Sequence, residues 1–196
     1  MSIPEEFLKQ VNALYQQFQA HDAQQSDRLN RYRNIEPESA HLLAVLIRAQ
    51  QAQNILEIGT STGYSTLWLA NAAQSTQGHV TTIEIDSERT KQAQSYAEQL
   101  QLRNLVDFQV ADALYFLKQC NEIYDFILLD AERDAYVEYW QYLPNLLKKK
   151  GGLLVVDNVL SHASEVAEFI ALVQESKQFM CVTLPVGAGL LLVTAN

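Results

Sequence analysis

Positive charge is scarce in this chain. Fourteen lysines and arginines stand against 23 aspartates and glutamates, a formal net charge of −9 over 196 residues. Nucleic-acid binding draws on clustered basic side chains, so this balance argues against a nucleic-acid partner. The one basic cluster, Lys148-Lys149-Lys150, runs into Gly151-Gly152 and reads as the last turn of a helix with a glycine stop. Cysteine is nearly missing. Cys120 and Cys181 are isolated on apolar segments and read as two buried thiols in a reducing compartment rather than as a disulfide. No apolar run approaches the ~20 residues that a bilayer span needs, so no membrane partner is expected. The segment Met1 to Glu6 is acidic, with no basic stretch leading into an apolar one, so a signal peptide is not expected and a cytoplasmic location is. Internal repeats, low-complexity tracts and linkers are lacking too. The expectation is one domain over residues 1–196, with a helical extension over 1–36 and a core over 37–196.

What is present is a change of period. Phe7, Leu8, Val11, Leu14, Tyr15 and Phe18 recur at helical spacing behind Pro4, which gives a first helix with one apolar face. That face must pack on the main domain or on another subunit, and it suggests a homodimer. Residues 21–36 are polar, carry Arg28, Arg31 and Arg33, and read as a mobile or capping connection. Pro37 opens a second helix to about Gln50. Five short apolar runs then alternate with helical patterns: strands at 55–58, 80–85, 106–110, 124–130 and 153–157, and helices at 64–73, 88–101, 112–119, 134–147 and 163–176. Such alternation predicts an α/β fold, a mostly parallel, doubly wound sheet with helices on both faces. Strands at 180–184 and 189–193 are joined by a turn too short for a parallel crossover, so the last of seven strands is antiparallel.

In such sheets ligands gather at the carboxyl ends of the strands. Here those ends carry Glu57, Glu84, Asp112, Asp130 and Asp157. A lone acid at a strand end commonly caps the next helix; five together point to a site. The first strand runs into Gly59-Thr-Ser-Thr-Gly63, a glycine-bracketed turn that opens a helix and cradles an adenosine-bearing cofactor. Ser61 stands where a dinucleotide fingerprint has its middle glycine, which lets a pyrophosphate approach the chain. With Glu57 just before the turn, a phosphate-bearing ligand is disfavoured. A ligand with an ammonium group suits that acid, Ser65 and nearby backbone N–H groups can hold a carboxylate, and Glu84 is placed to accept from ribose hydroxyls. An amino acid joined to adenosine meets this description.

Asp130, Asp157 and Asn158 offer three oxygen donors at the ends of two strands. Oxygen donors without His or Cys suit Mg²⁺, Mn²⁺ or Ca²⁺ rather than zinc. The competing reading is that Asp157 and Asn158 cap the turn that follows.

The set ILEIGTSTGYSTLWLA, TIEID, YDFILLDAERDAY, GGLLVVDNVL and LPVGAG, spread in order over residues 37–194, resembles the cation-dependent O-methyltransferases of the catechol and caffeoyl-CoA type. The resemblance implies the Rossmann-like class I S-adenosylmethionine-dependent methyltransferase sheet. It implies that Glu57, Gly59 and Ser65 line the methionine end of S-adenosylmethionine, that Glu84 binds ribose, that Asp112 and Ala113 flank adenine, and that Glu132 approaches the ammonium group. It also implies a divalent cation, Mg²⁺ first, on Asp130, Asp157 and Asn158, and a small aromatic acceptor with adjacent hydroxyls.

Three departures bear on the acceptor. Arg133 falls where relatives commonly have a lysine proposed as general base, and a guanidinium stays protonated. Either the cation alone activates the hydroxyl or Arg133 acts as an electrostatic clamp; a surface arginine at a helix start is the plain alternative. Ala188 stands where many relatives have an aspartate. The stretch after Asn158 is short and contains one histidine, His162. Tyr136 and Trp140 share a helix face and read as core. Two other functions fit these departures: a metal-independent methyltransferase, and a non-catalytic S-adenosylmethionine-binding module.

Overall fold

A computed structural model describes residues 3–196; Met1 and Ser2, the start of the acidic segment read above for a signal, lie outside the described residues. Seven strands form one sheet in the order β3-β2-β1-β4-β5-β7-β6. They are β1 (Asn54–Ile58), β2 (His79–Glu84), β3 (Val106–Val110), β4 (Phe126–Leu129), β5 (Leu153–Val156), β6 (Phe179–Leu184) and β7 (Leu190–Ala195). The first five are parallel, and β7 runs antiparallel to both β5 and β6. The expected fold is the one found.

One face carries α1 (Glu5–Gln24), α2 (Pro37–Gln50), α3 (Tyr64–Thr76) and α4 (Ser87–Gln99). The other carries α5 (Ala113–Gln119), α6 (Tyr136–Tyr139), α7 (Leu143–Leu146) and α8 (Ala163–Glu175). The alternation of side chains along each strand divides the core accordingly. Ile55 points to the α3 side, and Leu56 and Ile58 point to the other. Glu57 shares the Ile55 face and is buried with it.

The apolar face of α1 is covered within the chain. Phe7, Val11 and Phe18 are buried, and the Phe7 ring meets Trp68 of α3 edge-on with centroids 5.1 Å apart. Of the two packings open to this helix, the structure has the one on its own domain. The helix also runs to Gln24, past the residue-21 limit expected, because no glycine or proline interrupts it. Asp22 in its last turn accepts from the backbone N–H groups of Tyr32 (2.7 Å) and Arg33 (2.9 Å) and so turns the following segment back over the sheet.

The helix expected over 134–147 is broken into a 3₁₀ turn (Arg133–Ala135), α6 and α7. Pro144 is the reason: it lies in the first turn of α7 and has no N–H to continue a helix from Trp140. The lysines therefore follow α7 in a turn rather than ending a helix, and Lys148 Nζ sits 2.6 Å from Asp125. Both cysteines are free and only partly buried. Tyr136 is core, its hydroxyl held by the backbone of Ala131, and Trp140 packs against Phe169 and Phe179.

Candidate active site

The carboxyl ends of β1, β2, β3, β4 and β5 open on a cavity of about 610 Å³. Its floor is the turn after β1. Gly59 has φ +103°, and a Cβ there would stand 2.0 Å from the carbonyl oxygen of Asp130, so only glycine lets β1 and the end of β4 approach this closely. Gly63 has φ +89° and lies against Ala93 of α4, where a Cβ would come within 2.7 Å of the alanine methyl. Between them the backbone N–H of Ser61 donates to Glu84 Oε2 (2.8 Å), while Glu84 Oε1 accepts from Asp86 N (3.0 Å). The acid at the end of β2 thus holds the turn and lines the cavity.

Gly59, Ser65, Glu84, Asp112, Ala113, Asp130, Glu132, Arg133 and Asn158 line this one cavity. Glu57 and Asp157 do not. Both are fully buried and lie beneath the wall. Glu57 Oε2 accepts from the hydroxyls of Thr66 and Thr82, each at 2.5 Å, and Oε1 has no partner. Burial pushes this carboxyl up to about 7, against the opposing hydrogen bonds of Ser65, Thr66 and Thr82. Ser65 stands between Glu57 and the cavity.

The carboxyls of Asp130 and Asp157 are both raised. Burial, then the charge of Asp157, holds Asp130 well above the usual carboxylate range, and burial lifts Asp157 to about 7. Asp157 Oδ2 accepts from Asn158 Nδ2 (2.9 Å), and Oδ1 is buried without a partner. Asn158 sits in the left-handed region at φ +64°. Among the described residues no three His, Cys, Asp or Glu side chains form a metal-holding group; what exists is two carboxylates and a carboxamide. That donor set, with an orphaned oxygen and two acids that repel, fits a divalent cation.

Arg133 is not a surface side chain. It is 6% exposed, its Nε donates to Glu165 Oε2 (2.8 Å), and its Nη2 is buried without a partner. His162 also lines the cavity, with Nδ1 2.8 Å from Ser161 Oγ; burial and then the charge of Arg133 hold its imidazole below the ordinary value. Glu132 is engaged by Arg33 (2.5 Å) and, more loosely, Arg28 (3.9 Å). Asp112 caps α5 by accepting from Tyr115 N (2.8 Å) while lining the cavity.

A model of the O-methyltransferase family matches residues 13–194. The chain belongs to the O-methyltransferase family. Among its curated relatives, a catechol O-methyltransferase of Niastella koreensis is 34% identical over 131 residues, 65% of this chain and 58% of that protein. Caffeoyl-CoA O-methyltransferase 1 of Nicotiana tabacum is 32% identical over 180 residues, 79% of this chain and 74% of that protein. The match thus spans little more than half the length of some of these relatives. In fold, the chain is similar to the Bacillus cereus O-methyltransferase solved in complex with SAH (TM-score 0.80, 24% identity, covering 98% of this chain and 92% of that one). It is also similar to the Streptomyces achromogenes O-methyltransferase TomG solved with SAM (TM-score 0.79, 24% identity, 98% and 91%).

The O-methyltransferase match begins inside α1 and so takes in a part of the site that the sequence motifs missed. Residues 25–36 form a strap over the cavity, which Arg28, Leu29, Tyr32, Arg33, Asn34 and Glu36 line. Arg89 Nη2 donates to the carbonyls of Leu29 (2.8 Å) and Arg31 (3.1 Å). Ser61 Oγ donates to Tyr32 O (2.7 Å), Asn34 Nδ2 to Thr62 Oγ1 (2.9 Å), and Ala188 N to Glu36 Oε2 (3.2 Å). The strap is tied down at three places: the Gly59–Gly63 turn, α4 and the turn between β6 and β7. The one signal in the sequence was the density of arginines at 28, 31 and 33.

Proposed function

We propose that the protein is a divalent-cation-dependent O-methyltransferase that moves the methyl group of S-adenosylmethionine to a hydroxyl of a small aromatic diol, and that it works in the cytoplasm. The observation that carries the reading is the Asp130–Asp157 pair, with Asp157 Oδ1 buried without a partner, beside the Gly59–Gly63 turn. No described helix is long and apolar enough to cross a membrane.

In this reading Gly59 lets the methionine end of the donor lie against the backbone, Ser65 meets its carboxylate, and Glu132 approaches its ammonium group. Glu57 acts from below, through Ser65, on the same end. Glu84 accepts from the ribose hydroxyls, and Asp112 and Ala113 border adenine. When bound, the donor would supply an electrophilic sulfonium methyl to an acceptor oxygen. Asp130, Asp157 and Asn158 would hold the cation. A bound divalent cation lowers the pKa of a chelated hydroxyl and fixes its direction. Arg133 cannot take the proton. The floor and strap hold donor and acceptor together, a positioning effect that reaches about 7–11 kcal/mol in favourable reactions.

Purified protein assayed against a panel of catechols, flavonoids and hydroxycinnamoyl thioesters, with Mg²⁺ and with chelator, tests this. Methyl transfer that chelator abolishes is the expected result. Equal rates in both conditions would sink the cation's role. Donor binding by calorimetry with no transfer to any diol would favour the non-catalytic module. Asp157→Ala should remove the Mg²⁺-stimulated rate and leave donor affinity nearly unchanged.

A further inference from the structure

Four of the seven arginines, Arg28, Arg33, Arg89 and Arg133, line the cavity of this acidic chain, and among the described residues no lysine does. Arg89 is occupied by the carbonyls of the strap. The other three converge on the end that holds Asp130 and Asn158. Three carboxylates share this corner: Glu132 beside Arg33 and Arg28, Glu165 on Arg133, and Glu36 on the strap.

The unused donors lie in the same corner. Arg133 lines the cavity, is 6% exposed and has a buried, unpartnered Nη2, and Arg33 Nε is buried without a partner as well. A buried guanidinium N–H without an acceptor is costly to leave unmade. A neutral diol would leave Arg133 in that state.

We propose, granting the methyl-transfer reading above, that the acceptor is an aromatic diol bearing a carboxylate, and that Arg133, supported by Arg33 on the strap, receives that carboxylate. A planar guanidinium fork matches a carboxylate in two parallel hydrogen bonds, which a lysine at this position could not do. The arginine that stands in place of a base is then a clamp that selects and orients the acceptor, and a chelated hydroxyl, made more acidic by the cation, would release its proton to water.

The test is equilibrium binding. 3,4-Dihydroxybenzoate and 3,4-dihydroxycinnamate, each beside its methyl ester, are titrated calorimetrically into protein saturated with S-adenosylhomocysteine and Mg²⁺. Each acid should bind about tenfold or more tighter than its ester. Arg133→Gln should reduce that preference to less than about threefold, and Arg133→Lys should restore part of it. Esters as tight as acids, no binding of either, or an Arg133→Gln protein with the full preference would overturn the proposal. The acid–ester comparison on the unaltered protein decides it even if the variants do not fold. A clear preference for acids without methyl transfer would overturn the methyl-transfer reading and leave standing only the carboxylate site at Arg133.

Discussion

Glu57 is the side chain whose place along the chain and whose depth tell different stories. Its place at the end of β1 follows from an apolar run that stops at a glycine turn, so the sequence marks it as a site residue. Its depth depends on α3 and Thr82 closing over it, and no spacing within β1 contains that. The same holds for Asp157, an expected cation ligand that lies beneath the cavity wall. Burial raises Glu57 from its ordinary 4.5 to about 7, so the folded chain holds a proton that the unfolded chain releases. Folding stability is therefore greatest below pH 4.5 on this account and falls as pH rises towards 7. The ligand-free protein should melt at lower temperature at pH 7.5 than at pH 5, and Glu57→Gln should make that decline shallower in a calorimetric pH series. Asp130 and Asp157 act in the same direction, so Mg²⁺ at neutral pH should recover their part of the loss. Gly59 gives a second check. Gly59→Ala forces a Cβ to within 2.0 Å of the Asp130 carbonyl oxygen at φ +103°. Its expected cost is about 1–3 kcal/mol of stability, with donor binding lost as well; an alanine variant that binds S-adenosylmethionine normally would refute the close approach of β1 and β4.

At the scale of elements, the alternating core was legible because each strand is a short apolar run and each helix an amphipathic one, with Pro37 and the glycine turns as punctuation. Two elements were not legible. The helix expected over 134–147 is broken because one proline outweighs a periodic pattern whose apolar residues are buried either way. The strap over 25–36 is polar, and a polar segment has no period to read. Its order comes from hydrogen bonds to groups far away in the chain: Asp22, Ser61, Thr62 and Arg89. That dependence predicts how it loosens. Asn34→Ala removes the Thr62 contact, and a hydrogen bond of this kind contributes about 0.5–1.5 kcal/mol. S-adenosylmethionine should dissociate about three- to tenfold faster from this variant in stopped-flow displacement, with the melting temperature lowered by about 1–6 °C. An unaltered off-rate would mean that the strap does not close over the donor.

At the scale of the molecule, α1 belongs to the fold rather than hanging from it. Its buried face is aromatic on both sides: Phe7 on Trp68, Tyr15 beside Tyr64, and Phe18 against Tyr32 and Tyr96. Phe18 therefore joins three parts of the chain: the first helix, the strap that roofs the cavity, and α4, which backs the Gly63 turn. A loss of packing there should reach the cavity along the strap, whereas a loss at Phe7, remote from the strap, should stay local. Truncation of a buried phenylalanine to alanine costs about 3–5 kcal/mol. In a chain of this size each kcal/mol is about 2–4 °C of melting temperature. Phe7→Ala and Phe18→Ala should thus lower the melting temperature by similar amounts, on the order of 6–20 °C. Only Phe18→Ala should also weaken S-adenosylmethionine binding when measured by calorimetry well below the melting transition. Equal binding by both variants would show that the first helix stabilises the core without governing the roof of the site.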